Sequence, residues 1–171
     1  MTFSDWSTGW SHGVCLRSAR HRLRQLAALS AGELTTLIVA AVVLRIAPLM
    51  LRRHGLQGTQ ARLRRKSSPP GPPANPRETA MTVAHLVEVA AARGWPRPNC
   101  LHRSVTLWWL LLRRGVDTEI RIGVRRKEGG DGLDFHAWVE HEGLVINDAR
   151  DVRTRFATFD RAIVPPKATF R

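Results

Sequence analysis

The sequence predicts an α+β fold, in which helices pack on a small antiparallel sheet. Apolar residues recur at helical spacing within residues 76–112, which predicts two amphipathic helices. Between residues 119 and 146 the period changes toward two, and the alternation of apolar and polar side chains predicts short strands. The ordered half of the chain therefore places helices first and strands afterwards, an order typical of an α+β domain with an antiparallel sheet.

The totals of the sequence limit the classes of partner and compartment. The 171 residues carry a net charge of +13, from 27 Lys and Arg against 14 Asp and Glu. Such a balance suits nucleic acid, an anionic membrane or an acidic peptide, although GC-rich coding alone also produces an excess of arginine. Cys15 and Cys100 show no CxxC pattern, which argues against a disulfide framework and for a reducing compartment. Residues 1–13 do not resemble a secretory signal, so we expect a cytoplasmic protein.

We assign residues 1–74 to an N-terminal helical arm and a proline-rich linker. Residues 16–29 indicate a basic amphipathic helix, which can lie on an anionic membrane surface or pack on the core. Ser30 and Glu33 match a capping box and begin an apolar helix that Pro48 should kink or end. Its uninterrupted apolar run spans 37–44, far short of the roughly 20 residues that cross a membrane. We interpret it as a buried or partner-facing helix, with membrane association through these N-terminal helices left open.

The folded domain should cover residues 75–171. Asn75 and Glu78 match a second capping box, with Pro76 at the first helical position. The helix that they begin should run to about residue 93 and stop at Gly94.

The next predicted helix carries a cysteine at its start. Asn99 is a good N-cap residue, and Cys100 then takes the first helical position. The apolar helix that follows should end at Gly115, where glycine supplies the C-cap. A thiol at a helix N-terminus lies at the positive end of the macrodipole, which favours the thiolate.

Three short strands should follow. Residues 119–125 alternate as a half-buried strand, and residues 135–140 alternate again after the glycine-rich loop 127–132. A turn at 142–143 connects the second strand to a third at 144–146.

A cysteine, a histidine and an aspartate in this order suggest nucleophilic catalysis. Cys100 would attack as a thiolate, His136 would take and return the proton, and Asp148 would orient the imidazole. His136 and Asp148 lie at similar distances on either side of the turn at 142–143, so a hairpin can bring them together. Asp134 and Asp151 are rival third members. A cysteine in an apolar helix is more often a core residue, and a histidine on a strand is more often a surface residue.

Three segments of the chain carry a family resemblance. Cys-Leu-His-Arg-Ser at 100–104, Arg-Ile-Gly-Val at 121–124 and His-Ala-Trp-Val-Glu at 136–140 are similar to the transglutaminase-like cysteine peptidase domain of lasso-peptide maturation B proteins. The similarity covers about residues 76–150 and is strongest to the split form, the lasso-peptide biosynthesis B2 family. The first and third motifs are fairly specific in combination.

The resemblance implies a papain-like peptidase core and a reaction. The catalytic cysteine, histidine and aspartate of the family fall on Cys100, His136 and Asp148. The implied activity is removal of the leader from a ribosomally made precursor peptide, with no cofactor and no metal. Residues 1–74 contain no PqqD-like leader-binding module, so the resemblance implies a separate leader-binding partner, the B1 protein, together with a lasso cyclase. An oxyanion hole would use the N–H of Cys100.

Two other classes of function stay open. The same triad could perform another acyl transfer, such as amide cross-linking. Alternatively, the arginine-rich arm could make the chain a non-enzymatic binder of nucleic acid or membrane; the peptidase interpretation includes no nucleic-acid partner. The set Cys100, His102, His136 and His141 fits no standard metal site.

Overall fold

The computed structural model describes residues 30–68, 70–94, 97–127 and 132–159. Within these ranges the elements follow in chain order: α1 Ala31–Arg65, α2 Pro76–Arg93, α3 Cys100–Leu112, β1 Glu119–Arg126, β2 Leu133–His141, β3 Leu144–Val145, α4 Val152–Arg155 and β4 Ala157–Thr158. The described residues from Thr35 onward belong to one compact unit. The predicted basic helix at 16–29, Cys15 and most of the glycine-rich loop lie outside the described residues, and the domain boundary near residue 74 stays a prediction.

The sheet confirms the α+β prediction. Its order is β3-β2-β1-β4, and each neighbouring pair is antiparallel. The turn between β2 and β3 forms where expected: Glu142 and Gly143 have φ of 48° and 78°, values typical of a tight hairpin turn. The short α4 and β4 were not predicted. A strand of two residues has no measurable period, and β4 is defined by its pairing with the edge of β1.

α1 confirms its predicted start but does not end where expected. The Ser30 N–H donates to the Glu33 carboxylate at 2.8 Å, and the Glu33 N–H donates to the Ser30 hydroxyl at 3.3 Å. The Ser30 hydroxyl also donates to the Glu33 carboxylate at 2.8 Å, and this bond, followed by the one from the Ser30 N–H, lowers the pKa of Glu33. The helix then continues through Pro48 as far as a kink at Gly55, which has a non-helical φ of 63°, and a second helical stretch follows to Arg65. An interior proline costs about 3 kcal/mol, and the packing of α1 on the core offsets that cost.

The start of α2 corrects a second detail. Asn75 is the N-cap residue, but its side chain makes no capping hydrogen bond to the backbone. Its amide instead donates to the Glu78 carboxylate at 2.8 Å. The predicted capping box is therefore wrong at this helix, because the two side chains bond to each other. The predicted end at Gly94 is confirmed.

One apolar core joins the three long helices to one face of the sheet. Its members include Leu44 and Leu63 of α1, Val83 and Val87 of α2, Val105, Trp108 and Leu111 of α3, and Ile120 and Val139 of the sheet. Each large apolar side chain buried in this way contributes about 1.5–3 kcal/mol. A smaller cluster of Trp138, Val152 and Phe156 covers the other face, because successive strand residues point to opposite sides.

α3 ends in a glycine turn that also contacts the proline-rich segment. Gly115 has φ of +71°; its N–H donates to Leu112 O at 3.1 Å, and the Val116 N–H donates to Leu111 O at 3.0 Å. These paired bonds form a Schellman motif and confirm Gly115 as the terminating residue. A Cβ added to Gly115 would lie 2.5 Å from the carbonyl oxygen of Gly71. The proline-rich segment therefore packs on this turn.

We expect Gly115→Ala to lower the free energy of unfolding by about 2–4 kcal/mol, measured by urea denaturation. Positive φ alone costs a non-glycine residue about 1–2 kcal/mol, and the contact with Gly71 adds a backbone clash. Gly143→Ala is the matched control, since φ is +78° there and an added Cβ meets nothing within 4 Å. Equal losses in the two variants would contradict the close approach of the proline-rich segment.

Candidate active site

Cys100 is the first residue of α3, as predicted, and Asn99 is confirmed as its N-cap. The Asn99 side-chain oxygen accepts the His102 N–H at 2.9 Å, and the Asn99 N–H donates to His102 Nδ1 at 3.3 Å. The imidazole thus takes the place that Glu or Gln holds in a usual capping box. Cys100 itself is a free, half-buried thiol.

The role of His102 requires its neutral form. Nδ1 accepts a hydrogen bond only when it carries no proton, and burial lowers the pKa of the His102 imidazole. A positive charge there would also face the positive end of the α3 macrodipole. The signal was present in the sequence as Asn-x-x-His, but the capping rule looks for Glu or Gln at that position.

Two residues of the Cys-Leu-His-Arg-Ser motif hold α3 in place. Arg103 forms an ion pair with Glu88 of α2 at 2.8 Å. The buried Ser104 hydroxyl donates to the carbonyl oxygen of Ala137 in β2 at 3.0 Å. The helix that begins at Cys100 is therefore fixed one turn later to the strand residue next to His136.

His136 and Asp148 lie together, as the hairpin argument predicts. His136 Nε2 and Asp148 Oδ2 are 2.5 Å apart. The other carboxylate oxygen accepts the Ala149 N–H at 2.7 Å and lies 3.4 Å from Arg155. Asp148 is thus oriented by its own loop and by a cation as well as by the imidazole.

The rival carboxylates are paired elsewhere. Asp134 pairs with Arg125 at 2.9 Å, across the β1–β2 ladder. Asp151 lies 3.4 Å from Arg155 and is exposed. Of the three aspartates that the sequence suggested, Asp148 is the one that bonds to His136.

An asparagine that the sequence did not single out shapes the loop that carries Asp148. After β3, the Ile146 N–H donates to Val139 O at 2.9 Å, which extends the pairing by one residue. The next side chain, Asn147 Oδ1, accepts the Val139 N–H at 2.7 Å. Asn147 therefore replaces a strand residue in the ladder, and the chain turns so that Asp148 reaches back to His136.

Of the three candidate residues Cys100, His136 and Asp148, Cys100 is the one with no hydrogen bond to the other two. Among the described residues, no hydrogen bond joins Cys100 to His136. Because Asp148 occupies Nε2, Nδ1 is the imidazole nitrogen that remains for a further partner. The structure thus assembles the histidine–aspartate pair and places a free thiol at the start of the neighbouring helix.

An aromatic stack supports His136 from the other side. Its ring lies 5.0 Å from that of Phe156, with 28° between the planes, and 6.1 Å from that of Trp138. The Arg125 guanidinium lies 4.7 Å from the Phe156 ring centroid. Gly123, which pairs with His136 across the strands, leaves room for the stack: an added Cβ would lie 2.7 Å from the Phe156 Cβ.

A buried glutamate, Glu140, lies on the same face of the sheet as His136 and Trp138. Glu140 accepts the Trp138 indole N–H at 2.7 Å and is bonded by Arg153 at 2.8 Å and Arg121 at 3.3 Å. Burial favours its neutral form and would raise its pKa, but these hydrogen bonds and the two arginine charges together lower the pKa of Glu140. The carboxylate therefore stays charged and locks Trp138 beside the histidine.

The third histidine of interest, His141, has a structural partner. His141 is buried, and its Nδ1 donates to the carbonyl oxygen of Asp117 at 2.7 Å. Within the described ranges, no group of three or more His, Cys, Asp or Glu side chains could hold a metal ion.

A comparison with protein families gives one match. The family described as the Transglutaminase-like superfamily matches residues 41–160 of the 171-residue chain. Helices with a small curled antiparallel sheet of four strands agree with such a domain and with a papain-like core. Among curated proteins and solved structures, none matches the chain.

We expect Gly123→Ala to displace Phe156 and to lower the free energy of unfolding by about 1–3 kcal/mol, as overpacking of a filled site does. The ring-proton shifts of His136, measured by NMR, should change as well, because the stacked ring moves. Gly71→Ala is the control, since an added Cβ there meets nothing within 4 Å. Unchanged His136 shifts in a destabilised Gly123→Ala would contradict the supporting role of the stack.

We expect His102→Gln to reduce the loss of stability in acid. Because the folded state lowers the pKa of His102, its contribution is present above the unfolded value of about 6.5 and is lost as the pH falls through the folded value. Glutamine keeps an acceptor without titrating. The free energy of unfolding of the wild type should therefore fall more steeply than that of the variant between about pH 7 and pH 5. Parallel urea-denaturation profiles would contradict the capping role of the neutral imidazole.

Proposed function

Because the chain belongs to the transglutaminase-like superfamily, we propose that it is a cysteine peptidase that removes the leader from a lasso-peptide precursor. Domains of this superfamily are typically cysteine hydrolases or transferases. The observation that carries the proposal is the 2.5 Å contact of His136 with Asp148, next to the strand residue that anchors the cysteine helix. In this proposal Cys100 is the nucleophile, His136 the general base and acid, and Asp148 the group that orients the imidazole.

Ser104 links the helix that carries the thiol to the strand that carries the histidine. Cys100 and Ser104 are four residues apart, so they lie on the same face of α3, about 6 Å from each other. Ser104 contacts Ala137, whose chain neighbour is His136. The start of α3 is thereby fixed to the strand that carries His136, and hydrogen bonds between catalytic groups often tighten only when substrate binds.

The proposed reaction proceeds in two steps. The Cys100 sulfur attacks the carbonyl carbon of the scissile bond while its proton passes to His136, and the Cys100 N–H at the helix start stabilises the oxyanion. His136 then protonates the departing amine, which is the N-terminus of the core peptide. Water, deprotonated by His136, cleaves the thioester and releases the leader with a free carboxylate.

The leader as substrate rests on the motif similarity to the B2 family. The paired motifs at 100–104 and 136–140 support it, and the structure gives most of their residues a place in or beside the candidate site. In this proposal the enzyme acts in the cytoplasm, a separate PqqD-like protein presents the leader, and a cyclase uses the freed amine.

We expect Cys100→Ala and Asp148→Asn to abolish or strongly reduce cleavage. The substrate is the precursor encoded beside this protein, incubated with its leader-binding partner and followed by mass spectrometry. The nucleophile variant should show no single-site cleavage, and Asp148→Asn should lose at least about 10³-fold in rate, as loss of an orienting carboxylate does. Asp151→Asn is the matched control, since this exposed aspartate lies on the same loop and bonds to the same arginine.

Three results would count against this function. Cleavage that survives Cys100→Ala would remove the proposed nucleophile. A product with an added amine in place of two fragments would indicate another acyl transfer on the same residues. No reaction at all, with the partner bound to the leader, would favour a non-enzymatic role for the chain.

A further inference from the structure

One face of α1 exposes a stripe of large apolar side chains. We define the apolar stripe as Ile38, Val42, Ile46 and Leu49, whose exposed fractions are 58%, 55%, 45% and 51%. Spacings of four, four and three residues place all four on one side of a helix. Folded chains bury such side chains when they can, so a contiguous exposed set indicates a surface that binds something.

The opposite face of the same helix is committed to the protein. Ala40, Val43, Leu44 and Ala47 are buried, and Ala40 and Leu44 belong to the main core. By length and composition, Ala31–Arg65 is a helix of the described residues that could cross a membrane, although 28% of its most apolar stretch is buried. If α1 crossed a bilayer, its buried face would have to leave the core. If α1 lay on the membrane surface, that face could stay packed on the core.

The charges next to the stripe are all positive. Arg45 borders it, and Arg52 and Arg53 follow its last residue by about one turn. All three are exposed, and the described residues provide no ion pair for them. Beyond Glu33 the helix contains no acidic residue. Apolar side chains flanked by arginines on one side of a helix are the pattern of an interfacial helix.

We propose that the apolar stripe and its three arginines bind an anionic membrane surface, with α1 parallel to the bilayer. The apolar side chains would enter the headgroup boundary, and the guanidinium groups would pair with lipid phosphates. A second copy fits the same surface less well, because a twofold contact would bring six unpaired arginines into one interface. The proposal does not depend on the catalytic function, since Cys100, His136 and Asp148 lie outside α1.

The test is flotation of the full chain with vesicles of phosphatidylcholine, with and without about one third phosphatidylglycerol. The wild type should bind the anionic vesicles and not the neutral ones. Arg52→Gln with Arg53→Gln should weaken binding about 30-fold, at about 1 kcal/mol per arginine. Val42→Glu should lower binding at least tenfold, because it places a carboxylate in the centre of the stripe. Met81→Glu, at a site that is 52% exposed on α2, should bind as the wild type does.

Circular dichroism and the thermal midpoint must match between the two glutamate variants, and Val42→Ser serves as a second variant if Val42→Glu is unstable. Equal flotation of Val42→Glu and the wild type would overturn the proposal, since binding would then arise outside the stripe. Absence of flotation by the wild type would overturn it too. A wild-type dimer that Val42→Glu converts to a monomer, measured by light scattering, would assign the stripe to a second copy instead.

Discussion

The packing of α3 on β2 is the constraint on which the rest of this structure depends. Its centre is the buried Ser104 hydroxyl, which donates to the Ala137 carbonyl oxygen at 3.0 Å amid the apolar core. Loss of a buried hydrogen bond that leaves one partner unsatisfied costs about 1–3 kcal/mol, so the register of helix against strand is well defined. That register determines where Cys100, at the start of α3, lies relative to β2, the strand that carries His136. Every other contact at the site adjusts a side chain within this frame.

His136 is held by elements that come from opposite ends of the sheet. The β2–β3 hairpin returns Asp148 to Nε2, and the chain then continues through α4 to place Phe156 under the ring. The Glu140 carboxylate, bonded by two arginines and an indole, fixes the neighbouring tryptophan. Among the described residues, Nδ1 is the imidazole nitrogen left without a partner, and the orientation of the ring is fixed by contacts within the protein. Such preorganisation is what proton transfer at a nucleophile requires.

Local patterns predicted most of the fold, because the helices and long strands have a periodicity that the sequence displays. The helix bounds at Pro76–Arg93 and the start of α3 at Cys100 followed from caps and spacing. The exceptions depend on contacts with other parts of the molecule: Pro48 remains inside α1, and β4 forms by pairing with the edge of β1. At the site, counting residues about the hairpin brought Asp148 to His136. The same counting cannot predict the distance between α3 and the sheet, or the stacking of Phe156 on His136, because both depend on tertiary packing.

The proline-rich segment between α1 and α2 packs on α3 and on the turn after it, although its composition is typical of a linker. Near its start, the Trp109 indole N–H donates to the Ser67 hydroxyl at 3.0 Å; further on, its backbone packs on Gly115. A spacer tolerates insertions because only its ends matter, at a cost that grows slowly with length. A segment that contacts the rest of the protein between its ends tolerates insertions less well, because an added residue there would break those contacts. The spacing between Ser67 and Gly71 is therefore matched to α3 and its C-terminal turn, and a change of linker sequence here should alter the contacts at the C-terminal end of α3.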